Sequence, residues 1–324
     1  MLTTTSGQQL TASSLCRSKN LEISSRSGTV SLIIVNYNSG NFLLACVSSA
    51  LSQVDEVVVV DNASRDHSLL QLEAAFPSEP KLLVVHNRKN LGFAAGCNIG
   101  SKEATGRYLL FLNPDCVLEP GSVKQLLATL EWHPDVGMVG GLLMNPDGTE
   151  QPGGRRAIPT PWRSFVRAFG LSRFADRWPR LFFDFHLHEQ PLPTHPIEVE
   201  AVSGACMLVR RVAMQDVGHW DESYFLHCED LDFSMTLRGK GWKIMFVPDA
   251  RIVHDKGGCS RSRPLFVEWH KHRGMLRFYR KFFQHQYPGP LMWLVAFGIW
   301  LRFGLVASYH SALLTLRHLG IQRG

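Results

Sequence analysis

Residues 108–115 read Tyr-Leu-Leu-Phe-Leu-Asn-Pro-Asp, and this octet decides the fold class. Its first five residues form a continuous apolar run, which is typical of a strand that is buried on both faces of a sheet. Asp115 ends the octet and is separated from that run by two residues, Asn113 and Pro114. Because open α/β sheets bind ligands beside the carboxyl ends of their strands, the octet predicts a carboxylate at a ligand-binding edge.

Similar apolar runs lie on both sides of the octet, and segments with helical periodicity separate them. The other predicted strands are 31–35, 56–60, 82–85 and 136–139. The predicted helices between them are 41–51, 68–76, 93–104 and 121–132. Short apolar strands that alternate with helices predict an α/β fold with a doubly wound, mostly parallel sheet.

The second half of the chain has a less regular pattern. The turn residues 145–148 predict a hairpin, and residues 152–196 indicate a variable loop and helix region beside the site. Later segments predict a strand at 200–210, a helix at 231–237, a short strand at 243–247 and a basic, aromatic helix at 266–283. Together they predict a small antiparallel extension of the sheet and helices at the C-terminal end.

Composition limits the classes of partner. The 324 residues include 45% hydrophobic residues, enough for one large core or two smaller ones, and the formal net charge is +6. Much of the positive charge lies between residues 251 and 281, which favours an anionic partner such as phosphate or acidic lipid headgroups. Since the sequence has no recognisable nucleic-acid module, we predict no nucleic-acid partner.

The cysteines and the two ends of the chain give further predictions. Seven cysteines without a CxxC pair indicate reduced thiols in a cytosolic protein and no zinc site. Residues 1–29, rich in serine and threonine, predict a disordered tail that precedes a domain at 30–285. In the tail 286–324 Arg302 interrupts a long apolar stretch, which favours a helix or helical hairpin in the membrane interface; a tilted membrane span and a buried core helix remain alternatives.

Several polar residues follow the first three predicted strands. Asp61 comes directly after four valines, where a carboxylate could accept hydrogen bonds from a base or ribose or could cap a turn. Tyr37, just past the first strand, could stack on a pyrimidine ring or pack at the sheet edge. Asn90 and Gly92 begin a helix after the third strand, where the backbone could approach an anion.

Three later positions could carry chemistry. Asp115 could share a hard cation such as Mg²⁺ or Mn²⁺ with phosphate oxygens, or could be an ordinary turn aspartate. Glu229, Asp230 and Asp232 could complement a helix dipole, or one of them could lie in a cleft as a general base. His254 could be a third metal ligand or an ordinary buried histidine.

Taken together, these segments resemble the family 2 inverting glycosyltransferases with a GT-A fold, specifically the rhamnosyltransferase-like branch. The resemblance covers roughly residues 30–285 and rests on seven segments in the order of the family. They are SLIIVNYNSG (31–40), EVVVVDNASRD (56–66), NRKNLGFAAGCNIG (87–100), GRYLLFLNPD (106–115), VSGACMLVRR (202–211), HWDESYFLHCEDLDFSMTLRGKGW (219–242) and ARIVH (250–254).

The resemblance implies a role for each matching residue. Asp115 matches the last acid of the metal-binding DxD motif, Asn113 stands at its first position, and His254 matches a histidine that completes the metal site in some members. Asp230 matches the catalytic base of the ED motif, in which Glu229 is the neighbouring acid. The residues implied to bind the nucleotide sugar are Tyr37, Asp61, Arg88, Asn90, Gly92, Asn113, Glu229 and, on a loop that could close over the diphosphate, Arg261 and Arg263.

The function that the resemblance implies is a metal-dependent inverting transfer with Mg²⁺ or Mn²⁺. The donor would be a dTDP-, UDP- or GDP-sugar, with rhamnose as the default sugar of the branch. The basic helix 266–283 and the apolar tail of this chain, and not the resemblance, predict the acceptor: a glycan or a polyprenyl-diphosphate-linked glycan in surface polysaccharide assembly. They also predict an anionic membrane surface, on the cytoplasmic face of the inner membrane, as the place of action. A nucleotidyltransferase acting on a sugar phosphate and a non-catalytic membrane-bound scaffold with a GT-A fold remain alternatives.

Overall fold

The computed structural model describes residues 28–175, 177–182, 185, 187–259 and 263–318. Most of the predicted disordered tail, residues 1–27, lies outside these ranges, as does Arg261. The β-strands of the described residues are β1 (Val30–Asn36), β2 (Glu56–Asp61), β3 (Leu82–His86), β4 (Tyr108–Leu112), β5 (Cys116–Leu118), β6 (Val136–Met144), β7 (Arg155–Arg156), β8 (Ile197–Glu198), β9 (Ala201–Val202), β10 (Cys206–Arg210) and β11 (Lys243–His254).

The α-helices of the same residues alternate with the strands in the first half and dominate the C-terminal end. They are α1 (Phe42–Ala50), α2 (Ser68–Ala75), α3 (Phe93–Glu103), α4 (Ser122–Trp132), α5 (Pro161–Ala168), α6 (Pro179–Phe182), α7 (Arg211–Val217), α8 (Glu229–Gly239), α9 (Pro264–Phe283) and α10 (Gly289–His318).

The central sheet has the strand order β3-β2-β1-β4-β10-β6-β11-β5, and β8 pairs with β11. β1 to β4 are parallel to one another, and β6 is parallel to β11, whereas β10 runs antiparallel between β4 and β6. A separate pair, β7 and β9, is antiparallel. The mostly parallel sheet, the small antiparallel sheet and the C-terminal helices confirm the predicted fold class.

Both faces of the sheet are covered, as the unbroken apolar runs predict. Successive residues of a strand point to opposite faces. In β1, Leu32 and Ile34 pack in one core cluster with α1 and α4, whereas Ile33 and Val35 pack in a second cluster with α3 and α7. A central strand such as β1 can therefore be apolar almost throughout without exposing a side chain to water.

Helix α3 lies close against the sheet because it carries small residues on its inner face. A Cβ atom at Gly96 would lie 2.6 Å from Val35 Cγ1, and one at Gly100 would lie 2.5 Å from Ile33 Cγ2. These two glycines therefore serve helix-on-sheet packing and not ligand binding.

Two predicted strands are longer in the structure, and one is divided. The strand predicted at 136–139 continues as β6 through Gly140 and Gly141 to Met144, because its second half pairs with β11. The strand predicted at 243–247 continues to His254 past an irregularity between Val247 and Arg251. The strand predicted at 200–210 is divided into β9 and β10 by a turn at residues 203–205.

The described part of the C-terminal tail forms one long helix, α10, so of the two predicted forms the single helix is present and the helical hairpin is not. α10 packs on α9 through aromatic contacts such as Trp269 with Trp300, and Arg302 Nη1 lies 3.0 Å from His272 Nε2. Residues 289–313 are long and apolar enough to cross a membrane, and only 6% of the most apolar window is buried. The alternative of a buried core helix is therefore wrong as well.

Candidate active site

The centre of the candidate site is a carboxylate–imidazole pair at one edge of the sheet. Asp115 precedes β5, His254 ends β11, and the antiparallel register of the two strands sets His254 opposite Cys116. Asp115 Oδ1 and His254 Nε2 are 3.3 Å apart, and both side chains are buried. The topology thus brings together two predicted metal ligands that are 139 residues apart in the chain (254 − 115).

A buried glutamine fixes the orientation of this histidine. Gln151 Nε2 donates to His254 O at 3.1 Å and to Asn145 Oδ1 at 3.0 Å, so its Oε1 must be the atom 2.6 Å from His254 Nδ1. That carbonyl oxygen is only an acceptor, so Nδ1 carries the hydrogen and, in a neutral ring, Nε2 presents a lone pair. Sequence reasoning missed Gln151, because no motif marks it.

The pair therefore fits a divalent cation. When the ring is neutral, its Nε2 and the Asp115 carboxylate oxygen 3.3 Å away are two acceptors, and a cation between them would satisfy both. The second ring nitrogen is held by Gln151, as outer-shell partners of metal-binding histidines usually are. Asp115 and His254 would hold the ion.

Cys116 lies beside the pair, but its thiol is a poor ligand for a hard cation. Its Sγ and the ligand atoms of Asp115 and His254 all lie within 4.8 Å of one another. Burial, together with the nearby Asp115 carboxylate, raises the pKa of the Cys116 thiol well above its usual value, and Sγ donates to Ala205 O at 3.5 Å. A neutral thiol is a poor ligand for Mg²⁺ or Mn²⁺, which prefer oxygen.

Asp230 lies in the first turn of α8 and is held from two directions. Its Oδ2 accepts hydrogen bonds from Gly204 N at 3.0 Å and from Arg156 Nη2. The Arg156 guanidinium forms an ion pair with it, and this charge-assisted hydrogen bond fixes the direction in which the carboxylate points. Arg156 belongs to the two-residue strand β7, inside the predicted variable loop and helix region 152–196. Sequence reasoning did not predict a role for it.

The turn at residues 203–205 joins the Asp230 side of the site to the Asp115 side. Gly204 N donates to Asp230, and the next carbonyl, Ala205 O, accepts from Asn113 N at 2.9 Å and from the Cys116 thiol. A Cβ atom at Gly204 would lie 3.3 Å from Asp230 Cβ, so a glycine allows this close approach. The turn therefore contacts Asp230 on one side and, on the other, the half-buried Asn113 and the buried Cys116, which lie on either side of Asp115 in the chain.

Glu229 differs from its neighbour in its electrostatic state. The side chain is buried, and its Oε2 has no hydrogen-bond partner among the described residues. Burial, with a smaller effect from the Asp230 charge, raises the pKa of Glu229 to about 8. At neutral pH Glu229 is therefore mainly protonated.

On the neighbouring strands, Asp61 is buried in a polar turn. Its Oδ1 accepts from Asn36 Nδ2 at 2.9 Å and from Ser64 Oγ at 2.6 Å, and its Oδ2 accepts from Ser64 N at 3.0 Å. Asp61 therefore caps a turn, which is one of the two roles that the sequence predicts for it. The next residue, Asn62, donates to Gly92 O at 3.0 Å and so ties this turn to the start of α3.

Two other predicted donor-binding residues, Tyr37 and Arg263, are in contact. Arg263 Nη1 lies 3.3 Å from Tyr37 Oη, and its guanidinium carbon is 5.7 Å from the centre of the ring. Asn90 Oδ1 accepts from Gly92 N at 2.9 Å, and Arg88 is exposed on the same loop. Gly92 has a φ of +90°, and a Cβ there would lie 2.6 Å from Phe225 O, so this position requires glycine.

Comparison with known proteins identifies relatives of this chain. A family model described as "Glycosyl transferase family 2" matches residues 31–218. The chain is 28% identical to the N-acetylglucosaminyl-diphospho-decaprenol L-rhamnosyltransferase of Mycobacterium tuberculosis over 285 residues, which are 84% of this chain and 90% of that protein.

Solved structures agree at the level of the fold. The mannosyltransferase PcManGT from Pyrobaculum calidifontis, in complex with GDP-Man and Mn²⁺, superposes with a TM-score of 0.53 at 15% identity, over 95% of this chain and 88% of that one. GalNAc-T7 with UDP, GalNAc and Mn²⁺ gives a TM-score of 0.53 at 19% identity, over 70% of this chain and 43% of that one. This chain therefore spans less than half of GalNAc-T7. The likeness confirms the GT-A fold.

Proposed function

The chain belongs to glycosyl transferase family 2 and is a glycosyltransferase, and we propose that it moves a sugar from a nucleoside-diphosphate donor to a lipid-linked glycan with inversion at the anomeric carbon. The observation that carries the proposal is the Asp115–His254 pair, whose neighbours Asn113 and Cys116 contact the same turn, residues 203–205, that binds the Asp230 carboxylate. In this proposal residues 30–285 form the transferase domain, and residues 286–324 form a tail that faces the membrane.

The proposed chemistry is a single in-line displacement. The acceptor hydroxyl gives its proton to the Asp230 carboxylate, its oxygen bonds to the anomeric carbon, and the bond from that carbon to the diphosphate oxygen breaks. Arg156 and Gly204 N–H orient the carboxylate through hydrogen bonds to its Oδ2. The protonated Glu229 adds no second negative charge beside it.

Asp115 and His254 would hold the divalent cation, Mg²⁺ or Mn²⁺, and the chemistry that such an ion supplies when bound is neutralisation of charge on the departing diphosphate. Asn113 in place of a first acid leaves the pair with a single carboxylate. In the proposal, Tyr37 and Asp61 face the nucleoside, and Arg88, Asn90, Gly92 and Arg263 line the donor side together with Arg261, which lies outside the described residues.

The acceptor and the cellular place are proposed from the relatives and the tail. The mycobacterial relative is named for a diphospho-decaprenol acceptor and for rhamnose, which supports a polyprenyl-diphosphate-linked acceptor and a rhamnose donor. The exposed apolar α10 supports a site of action at the cytoplasmic face of the inner membrane. The family match favours glycosyl transfer over nucleotidyl transfer and over a scaffold without activity.

The test is a transfer assay with the purified chain, Mn²⁺, a polyprenyl-diphosphate-linked glycan and a panel of dTDP-, UDP- and GDP-sugars. We expect release of a nucleoside diphosphate with one donor, and Asp230→Asn should lower turnover roughly 10²–10⁴-fold through loss of the base. Asp249→Asn, at an exposed acid in β11, is the matched control. In a parallel reaction with a nucleoside triphosphate and a sugar phosphate, release of pyrophosphate would indicate a nucleotidyltransferase. No turnover in either reaction would indicate a scaffold.

A further inference from the structure

The short helix α5 presents aromatic side chains to the outside. Trp162, Phe165 and Phe169 recur at the spacing of one helix face, and they are 45%, 43% and 65% exposed. Val166 points the other way and is fully buried. In a soluble protein such a stripe normally packs against the core, so its exposure needs a partner outside the described residues.

The aromatic surface continues beyond α5. Phe165 and Phe169 have ring centres 4.5 Å apart, and Trp162 Nε1 donates to Leu181 O at 2.7 Å, which joins α5 to α6. Between the two helices, Phe174 and Trp178 are 39% and 49% exposed. We call residues 161–182 the aromatic segment.

Positive charge lies within the same surface. The aromatic segment contains five arginines and one acidic residue. Arg173, Arg177 and Arg180 are exposed. The guanidinium of Arg173 lies 4.9 Å from the ring centre of Phe174, and that of Arg177 lies 5.8 Å from the ring of Trp178. Aromatic rings interleaved with arginines are the composition of surfaces that lie in the headgroup region of anionic bilayers.

The aromatic segment is continuous with the C-terminal helices. Ser164 Oγ lies 2.6 Å from Tyr279 Oη of α9. A groove is lined by Trp162 and Leu181 on one side and by Tyr287, two residues before α10, on the other. α10 in turn exposes Trp293, Leu294, Phe297, Leu301 and Leu305.

We propose that the aromatic segment is a membrane-docking element that binds an anionic phospholipid surface beside α10. This inference goes beyond the proposed function, because it assigns a lipid contact to a part of the transferase domain itself. Arg156, which pairs with Asp230, lies only five residues before α5. Docking through this segment would therefore bring the catalytic carboxylate close to a headgroup-linked acceptor.

The test places an environment-sensitive nitrobenzoxadiazole label on the full chain at Phe169→Cys. Cys16 and Cys259 are replaced by serine, since the other cysteines are buried. The matched control label is at Trp132→Cys, an exposed tryptophan at the end of α4. Trp178→Cys is a second label site if the first variant fails to fold.

We expect label emission at residue 169 to rise and shift to the blue on addition of phosphatidylcholine vesicles that contain phosphatidylglycerol. Vesicles of phosphatidylcholine alone should have a weaker effect, and the label at residue 132 should not respond. The double variant Arg173→Glu/Arg177→Glu should raise the half-saturating lipid concentration at least about tenfold, because each basic residue near an anionic surface contributes to binding. Lys102→Glu/Lys124→Glu, with the same change in net charge at exposed helix positions, should leave it unchanged.

Three results would overturn the inference: no emission change at residue 169 while the protein sediments with vesicles, no binding to vesicles at all, or a change that depends on protein concentration without lipid, which would indicate a second copy. Stabilisation by the sugar donor, measured in parallel, keeps the two proposals separate. A chain that binds donor without the lipid response would retain the proposed function and lose this inference.

Discussion

At the residue scale, the two adjacent acids at the start of α8 are in different states because their surroundings differ. Asp230 Oδ2 is paired with the Arg156 guanidinium and the Gly204 amide, whereas Glu229 Oε2 is buried without a hydrogen-bond partner in the described chain. Desolvation acts against a charge on Glu229. One acid is therefore available as a base, while its neighbour stays neutral.

This difference predicts a pH dependence of stability. The pKa of Glu229 is raised to about 8 in the folded protein, from about 4.3 in an unfolded chain. Between these values the folded state holds a proton that the unfolded state has lost, so the free energy of unfolding falls as pH rises and stays low above the folded pKa. Between about pH 6 and about pH 9 the loss should be about 3 kcal/mol.

Denaturant titrations at about pH 6 and about pH 9 measure this loss in the free energy of unfolding. Glu229→Gln, a neutral isostere, should remove most of the loss, whereas Glu131→Gln, at an exposed acid on α4, should not. An unchanged pH dependence in Glu229→Gln would contradict the assignment of a neutral Glu229.

Gln151→Leu should weaken binding of Mn²⁺ about 10–100-fold, because the His254 ring would lose the acceptor that fixes its tautomer. Electron paramagnetic resonance of free Mn²⁺ during a titration measures this directly. Gln125→Leu, at an exposed position on α4, is the matched control. Equal Mn²⁺ affinity in Gln151→Leu and the parent chain would mean that the amide does not prepare this site.

Motifs in the sequence predict roles for Asp115, Asp230 and His254, and the structure places Asp115 and His254 side by side. It could not indicate Gln151 or Arg156, whose importance comes from contacts across 103 and 74 residues. Neither residue type carries a signal at its own position, since glutamine and arginine are common in surface loops. The supporting contacts of a site are thus less predictable than the acids themselves.

At the scale of elements, the position of α3 depends on glycines that face the sheet. Gly100→Ala should cost about 1–3 kcal/mol of stability, because the new methyl group would lie 2.5 Å from Ile33 Cγ2 and 3.2 Å from Val60 Cγ2. Gly239→Ala, at the end of α8 with no neighbouring heavy atom within 4 Å, should be neutral or stabilising by up to about 1 kcal/mol. Thermal and denaturant unfolding distinguish the two, and equal stabilities would contradict this packing.

The elements themselves were largely predictable where burial on both faces imposes an apolar run, as in β1, β2 and β4. Prediction from the sequence failed where pairing between strands decides how far a strand extends or in which direction it runs. β11 continues past Pro248, which cannot donate to the ladder, through an irregularity in its pairing with β6. β10 lies antiparallel inside the sheet, and its apolar pattern does not specify the direction of its neighbours.

At the scale of the whole molecule, apolar surface is concentrated on α10 and the aromatic segment. Leu294→Ser/Phe297→Ser should strongly reduce flotation of the full chain with anionic vesicles. Both side chains are 65% exposed and contribute to an apolar outer face of the helix. The melting temperature in the absence of lipid should hardly change. Leu70→Ser, at a residue that is 65% exposed on α2, is the control. Unaltered flotation of the double variant would exclude α10 from membrane binding.

The central claim is that Asp115 and His254 hold a cation for the donor diphosphate, while Asp230 acts on the acceptor. Calorimetric titration with the nucleoside diphosphate of the preferred donor, with and without Mn²⁺, tests it most directly. We predict Mn²⁺-dependent binding in the parent chain and in Asp230→Asn, and loss of that binding in Asp115→Ala. Binding that is equally tight without Mn²⁺, or that survives in Asp115→Ala, would contradict the claim.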